Sequence, residues 1–280
     1  MKNYSIKLIT LFLIAVGCNQ NKPVQSDVVA VTQKKTRISG DAELAGANIL
    51  AFGPDNVLFI GDSKGAKVLA VQTEAQELKD PVPYNLEGFD TMVAEKLNLE
   101  PRDVIINDMK IHPVSQEAYV SIKMGHEPDA ASVVAIVSPV NPDIRFLEVN
   151  NSNSSSVSIN NPASDDLTFW NETPATALSI TDIDYHNGFV YVAGLTNGEF
   201  ASTLRKVAYP FSDSQEVVAS IEIYHAVHTQ METRAPIRSM LFADIDGESN
   251  LIASYTCTPL VTIPTAKITG GASITGKTIA

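Results

Sequence analysis

The sequence predicts an all-β domain, and three observations support this prediction. Short apolar runs alternate with loops rich in Asp, Asn, Gly and Pro, as in the stretch LAFGPDNVLFIGDSKGAKVLAV (Leu50–Val71). The same pattern recurs further along the chain in a constant register. The middle run of each unit is almost continuously apolar, which is typical of strands that are buried on both faces.

The repeated unit is visible four times. The copies align at an anchor position, and again two residues later; the anchor residues are Leu50, Met109, Ile183 and Met240, and the later residues are Phe52, Ile111, Tyr185 and Phe242. Equivalent positions are 57 to 74 residues apart. Repeats of three or four antiparallel strands at such a spacing predict the blades of a β-propeller. A β-sandwich also spaces short strands evenly, but it does not need equivalent units.

Two insertions lengthen the repeats beyond the usual spacing. In the first, Asp90 can cap a short helix that carries Val93 and Leu97 on one face. The second is a polar Asn/Ser tract, residues 150–166, which predicts a loop because it has little apolar surface to bury. The tail after the fourth repeat supplies at most one outer strand. We therefore expect a propeller domain over residues 41–280 that is truncated at its C-terminal end, with a gap between the first and last repeats.

The repeats also support a resemblance to known propellers. The segments METRAPIRSMLF and SYTCTPLV resemble a pairing in uncharacterised exported bacterial propellers, and the region Ile49–Thr265 is similar to the broad YVTN, NHL and quinoprotein-type propeller group. This resemblance implies the fold and an extracytoplasmic location. It implies no particular activity.

The N-terminal segment predicts export and lipid anchoring. Lys2 and Lys7 accompany the apolar run Leu8–Val16, which is too short to span a bilayer and is typical of a signal peptide. The following AVGC resembles a bacterial lipoprotein signal, in which cleavage precedes a lipid-modified cysteine. We expect residues 1–17 to be removed, Cys18 to be lipidated and residues 18–40 to form a flexible tether. An ordinary signal peptide with an incidental cysteine is the alternative.

This segment also predicts where the protein is found and what it binds there. The lipid on Cys18 would attach it to a membrane of the bacterial cell envelope, facing the periplasm or the exterior. The chain carries a formal charge of −12, which disfavours nucleic acid as a partner and disfavours charge-driven binding to anionic lipid. With Cys18 lipidated, Cys257 is the remaining thiol, so no intrachain disulfide is expected. The motifs indicate no identifiable cofactor.

The most suggestive polar residues lie just before the anchor positions, where the inner strands of a propeller begin. They are Asn107, Asp108, Asp182 and Arg238, with Arg234 nearby. These side chains would place carboxylates and guanidinium groups around one opening of the central channel, where propellers bind ligands. Alternatively, Asp108 and Asp182 hydrogen-bond to backbone amides or neighbouring blades.

A weaker candidate is a metal site at His225, His228 and Glu232, within HAVHTQME. Residues three apart on a strand point to opposite faces, so the two histidines would share one metal only if the strand breaks between them. Exposed histidines at a strand end are the simpler interpretation.

Taken together, these features predict a binding or scaffolding module with an unidentified protein or small-molecule ligand. The alternative is an enzyme with its site in the channel, either a lactonase-like metal-dependent hydrolase or an oxidoreductase-like relative. Asp108 and Asp182 would supply only part of the ligand set that such a hydrolase needs.

Overall fold

The computed structural model describes residues 44–80, 82–149, 153–169, 173–198, 201–212, 216–225, 229–232, 234–256 and 260–279. The described residues lie within one compact unit, residues 37–280. Four small antiparallel sheets are arranged in a ring as the blades of a β-propeller. The predicted all-β propeller fold is therefore confirmed.

Blade 1 contains β1 (Ile49–Phe52), β2 (Val57–Asp62), β3 (Lys67–Gln72) and β8 (Ser154–Ser158). The strands follow one another from the inner edge to the outer edge in the order β1-β2-β3-β8. Every residue of β2 is buried. This agrees with the prediction that the second strands are covered on both faces.

Blade 2 contains β4 (Val104–Ile111), β5 (Ala118–Met124), β6 (Ser132–Val137) and β7 (Ile144–Phe146), in that order. A helix, α1 (Phe89–Leu97), precedes this blade. Val93 of α1 packs on apolar residues of β5 and β6, so the helix covers the central strands on one face of the blade.

Blades 3 and 4 complete the set of four. Blade 3 is built from β11 (Asp182–His186), β12 (Phe189–Leu195), β13 (Ser202–Ala208) and β14 (Glu216–His225), with β15 (Gln230–Glu232) and β19 (Ser273–Thr275) added to β14. Blade 4 is built from β16 (Ile237–Ile245), β17 (Glu248–Tyr255), β18 (Leu260–Pro264) and β20 (Lys277–Thr278). The strands β9 (Thr168–Phe169) and β10 (Thr173–Pro174) form a separate ribbon between blades 1 and 3 in the sequence.

The blades do not follow one another around the ring in sequence order. The inner strand β1 packs beside β4 on one side and beside β11 on the other, and β11 packs beside β16. The spatial order is therefore blade 2, blade 1, blade 3, blade 4. The prediction that the first repeat lies at one end of the series is wrong, because after blade 2 the chain returns as β8 to the outer edge of blade 1.

Three of the five buried apolar clusters in the described residues lie as layers between neighbouring blades. Leu50 and Leu69 of blade 1 pack against Tyr119 and Ile136 of blade 2. The opposite face of blade 1, with Phe59 and Val68, packs against blade 3. The third layer joins the other face of blade 3 to blade 4; it includes Tyr191, Leu204, Met240 and Leu251. Both faces of blades 1 and 3 are thereby covered.

Two local predictions from the sequence need correction. The polar tract at residues 150–166 is not a loop throughout, because Ser154–Ser158 form β8 at the outer edge of a blade, where a strand needs few apolar residues. Asp90 does not cap α1. Gly88 occupies the N-cap with a left-handed backbone (φ 67°), and Asp90 lies within the first turn, where its charge interacts favourably with the helix dipole.

Candidate functional site

The predicted channel residues of blade 2 form hydrogen bonds to blade 1. Asp108 lies just before the anchor residue Met109, and its Oδ2 accepts a hydrogen bond of 2.9 Å from the backbone N–H of Leu50. Asn107 Nδ2 donates to the carbonyl oxygen of Ala47 at 3.0 Å. Ser121 Oγ donates to the same oxygen at 2.6 Å. These side chains hold the inner strands of the two blades together.

Blade 3 is joined to blade 4 by the equivalent bonds. Asp182 lies just before the anchor residue Ile183, and its Oδ2 accepts a hydrogen bond of 2.6 Å from the N–H of Met240. Thr181 Oγ1 donates to the carbonyl oxygen of Ile237 at 2.5 Å. Between blades 1 and 3, Ser63 Oγ donates to the carbonyl oxygen of Ile180 at 3.0 Å. Ala47, Ile180 and Ile237 all lie three residues before an anchor residue, so the polar connection repeats around the ring.

The carboxyl groups on the inner strands lie near one another. Burial raises the pKa of Asp182 to about 6, because the charged form loses hydration. The negative charge of Asp108 raises this pKa further, whereas the N–H of Met240 and the ammonium group of Lys110 lower it. Lys110 Nζ lies 3.7 Å from Asp108 Oδ1. Burial also raises the pKa of Asp184, again opposed by Lys110.

The two arginines of the predicted site lie outside this group of hydrogen bonds. Arg238 is exposed at a bulge of β16, and its Nε donates to Thr256 Oγ1 at 2.8 Å. Arg234 lies at an exposed bend between β15 and β16.

The other predicted sites fall mostly outside the described part of the chain. Cys18, His228 and Cys257 lie outside the described residues, as do the side chains of His225 and Glu232. Among the residues that the structure describes, no three His, Cys, Asp or Glu side chains are placed to hold a metal ion.

The structure contains a candidate binding site that the sequence did not predict. It is an apolar groove of about 410 Å³ on the face of blade 2 that points away from blade 1. One wall is formed by the segment before α1 and the start of the helix, and the other wall by β4. The first wall contains Tyr84, Leu86 and Phe89, and the second contains Ile106, Met109 and Ile111.

The exposure of the β4 residues is anomalous for this fold. Ile106, Met109 and Ile111 are 54%, 55% and 46% exposed. Their equivalents in the other repeats are buried or half-buried; the residues equivalent to Met109 are Leu50, Ile183 and Met240, at 0%, 2% and 8% exposure. In those three blades this face packs against a neighbouring blade. In the described part of the chain, α1 packs on the central strands β5 and β6 of blade 2 and contacts β4, but no neighbouring blade covers Ile106, Met109 and Ile111 of β4.

Blade 4 also has one open face at the other end of the series. Leu241, Ile245 and Leu260 are 52%, 37% and 38% exposed, and Ser239 is exposed beside them. Ser239 and Leu241 follow Arg238 in the inner strand β16. The two open faces thus belong to the two blades at the ends of the series.

Sequence reasoning missed the groove because Met109 has the same pattern around it as its buried equivalents. Which anchor residue is left uncovered depends on the order of the blades, and that order is set by the return of β8 to blade 1. The repeat pattern contains no signal for it.

Comparisons with known proteins leave the family open. No protein-family model matches the chain, and no curated protein matches it. In the part of the chain that the structure describes, every helix is too short or too polar to cross a bilayer. The described residues define the class of protein as a four-bladed β-propeller, and one blade carries an exposed apolar groove.

Proposed function

We propose that this chain is an exported, lipid-anchored β-propeller that acts as a protein-binding or scaffolding module. The observation that carries this proposal is the exposure of Ile106, Met109 and Ile111 at positions that are otherwise used to join blades. Contiguous exposed apolar surface of this kind marks interaction sites in soluble domains. The binding surface is the groove between β4 and α1.

The chemistry of the groove suits a polypeptide better than a small polar ligand. Small-molecule sites usually contain a few convergent polar groups that orient the ligand. The lining here is apolar, and the single hydroxyl proton of Tyr84 is already used within the chain, because the oxygen lies 2.6 Å from the carbonyl oxygen of Gln116 and 3.0 Å from that of Val137. A protein partner with apolar side chains can fill such a groove through burial alone.

Lipid anchoring is consistent with the charge of the domain. The net charge of −12 gives the propeller no electrostatic attraction to an anionic membrane surface. Stable attachment would then depend on the acyl chains on Cys18, and the polar segment at residues 18–40 would hold the groove away from the bilayer.

The binding role is tested by photo-crosslinking in living cells. A benzoylphenylalanine residue is placed at Met109 in the full chain, and a matched control is placed at Val140. Val140 is 67% exposed and lies in the loop between β6 and β7 of the same blade. We expect irradiation to produce a protein adduct from position 109 and none from position 140.

Two results would contradict the proposal. One is the absence of any adduct from position 109. The other is an equal yield of the same adducts from positions 109 and 140, which would show that the groove has no binding preference over ordinary exposed surface.

A further inference from the structure

We infer that the groove of blade 2 receives blade 4 of a second copy of this chain, so that two chains close one ring of about eight blades. This inference rests on the proposed function, because it uses the same groove as the protein-binding surface and names the partner.

Every interface between blades in the chain joins the same two halves. The receiving half carries the anchor residue and the residue three positions earlier, as Leu50 and Ala47 do in blade 1. The giving half carries a polar side chain that bonds to this part of the neighbouring blade: Asp108 in blade 2 and Asp182 in blade 3 each stand just before their own anchor, whereas in blade 1 the bond comes from Ser63, after β2. Blade 2 gives to blade 1, blade 1 gives to blade 3, and blade 3 gives to blade 4. From one end of the series to the other, each blade therefore presents its giving half to the receiving half of the next blade.

The two halves left over at the ends are complementary types. The receiving half of blade 2 is open along β4, at Ile106, Met109 and Ile111, and is covered by α1 over β5 and β6. Blade 4 retains an open giving half, in which Ser239 occupies the position of Asp108 and Asp182. At the inner strands, one chain therefore exposes both halves of a contact that it already forms three times.

The second strands support the same equivalence. On the giving half of blades 1, 2 and 3, the second strand contributes a buried aromatic residue at one equivalent position; these residues are Phe59, Tyr119 and Tyr191. In blade 4 this position is Ile252, opposite the exposed Leu241. Ile252 is only half-buried, as expected if a partner normally completes its burial.

Within the residues that the structure describes, the two ends of the series leave their inner strands uncovered. In a sealed four-blade ring, β4 and β16 would be neighbours, and Met109 and Leu241 would be buried like the equivalent residues at the internal interfaces. They are instead 55% and 52% exposed. Propellers close with about four to eight blades, so two copies of this four-blade series reach a ring of permitted size. The two identical contacts would close with twofold symmetry.

The helix and the charges define how blade 4 would enter. Because α1 covers the central strands β5 and β6 of blade 2, the incoming blade contacts mainly β4 and the edge of the helix. Exposed carboxylates at Glu87 and Asp90 adjoin the lining residues Leu86 and Phe89. The exposed Arg238 on the incoming β16 offers the opposite charge.

The contact is tested by thiol crosslinking between differently tagged full chains produced in one host. Both chains carry Cys18→Ser and Cys257→Ser; one also carries Met109→Cys, and the other Ser239→Cys. A short bismaleimide should link the two chains covalently when they are produced together. Neither single-cysteine chain should crosslink to itself when it is produced alone, because like positions lie on opposite sides of the proposed ring.

Three outcomes would overturn the inference. Self-crosslinking of the Met109→Cys chain would indicate that the grooves of two copies face each other. A link formed within one chain that carries both cysteines would indicate a ring closed by a single copy. The absence of a crosslink between the two chains would indicate that these surfaces do not meet.

Light scattering gives an independent measurement that does not depend on cysteine chemistry. We expect the full chain, purified in mild detergent, to have twice the mass of one chain. Met109→Asp and Leu241→Asp should each weaken the dimer by about tenfold or more, because a charge is buried in an apolar contact, whereas Val140→Asp should not. A monomeric full chain would overturn the inference. A photo-crosslink from position 109 to a different protein would also overturn it, but would leave the proposed binding function standing.

Discussion

At the scale of single residues, Asp182 combines a structural role with an unusual electrostatic environment. Its carboxylate accepts hydrogen bonds from the backbone N–H groups of Met240 and Ile183. It is 8% exposed, so both bonds are made in a site that water hardly reaches. The residue therefore connects blades 3 and 4 while carrying a charge that burial disfavours.

Removal of this carboxyl group should destabilise the fold. Asp182→Ala leaves the buried N–H of Met240 without its acceptor, and an unsatisfied buried donor costs about 1–3 kcal/mol. The free energy of unfolding can be measured by urea denaturation. Asp244→Ala, at an exposed position of β16, is the control and should change stability by less than about 0.5 kcal/mol. Equal effects of the two substitutions would contradict the role assigned to Asp182.

The raised pKa of Asp182 also predicts how stability depends on pH. The folded chain holds this proton up to about pH 6, compared with 3.8 for the ordinary group, so the native state binds more protons between these values. The contribution of Asp182 to the free energy of unfolding is therefore greatest below pH 3.8, and it falls as the pH rises to about 6. The loss amounts to at most about 3 kcal/mol.

The contribution of this one group is obtained by comparison with Asp182→Asn, which cannot ionise. We expect the free energy of unfolding of the native chain, relative to that of the variant, to decrease between pH 4 and pH 7. A difference that stays constant or grows over this range would show that the carboxyl group is not destabilised by burial.

At the scale of elements, β12 passes very close to another part of the backbone. A Cβ atom on Gly194 would collide with the carbonyl oxygen of Ser179. Gly194→Ala should therefore destabilise the domain by about 1–3 kcal/mol or more, because backbone atoms cannot yield as a flexible side chain can. Gly198→Ala is the matched control, because a Cβ atom there has no neighbour within 4 Å. Thermal unfolding of both variants would test the contact, and similar melting temperatures would contradict it.

The elements that the sequence predicted well are those fixed by local chemistry. The hairpin between β11 and β12 turns at Asn187 and Gly188, with φ angles of 48° and 84°. The hairpin between β16 and β17 turns in the same way at Asp246 and Gly247. Asn-Gly and Asp-Gly pairs favour these left-handed conformations, so the turns and the strands beside them can be inferred directly from the sequence.

The elements that were missed depend on contacts between distant parts of the chain. β8 is made largely of serine, and its strand conformation comes from pairing with β3 rather than from its own apolar pattern. The spatial order of the blades follows from that pairing. The same distinction applies to the candidate site. The polar residues before the anchors could be identified from the sequence. Their hydrogen bonds to neighbouring blades and the exposure of Met109 could not, because both depend on the spatial order of the blades.

At the scale of the whole molecule, attachment to the membrane is predicted to depend on one side chain. Cys18→Ser removes the acceptor for the lipid, and the acidic domain has no other evident attraction to the bilayer. We expect the variant to move from the membrane fraction to the soluble exported fraction on cell fractionation. Cys257→Ser should remain membrane-bound and serves as the control. A membrane-bound Cys18→Ser chain would contradict lipid anchoring at this residue.

The return of β8 to blade 1 has a consequence for how the protein is made. β3 ends at Gln72, and its outer partner β8 begins at Ser154. More than 80 further residues must therefore be synthesised before the outer edge of blade 1 can be paired. During that interval the nascent chain presents an open strand edge, which is a template for association with other chains. Contacts of such long sequence separation also slow folding. The first blade in the sequence therefore acquires its outer strand only after the second blade has been synthesised. The outer edge of β3 remains open to association with other chains for as long as it takes to translate residues 73–158.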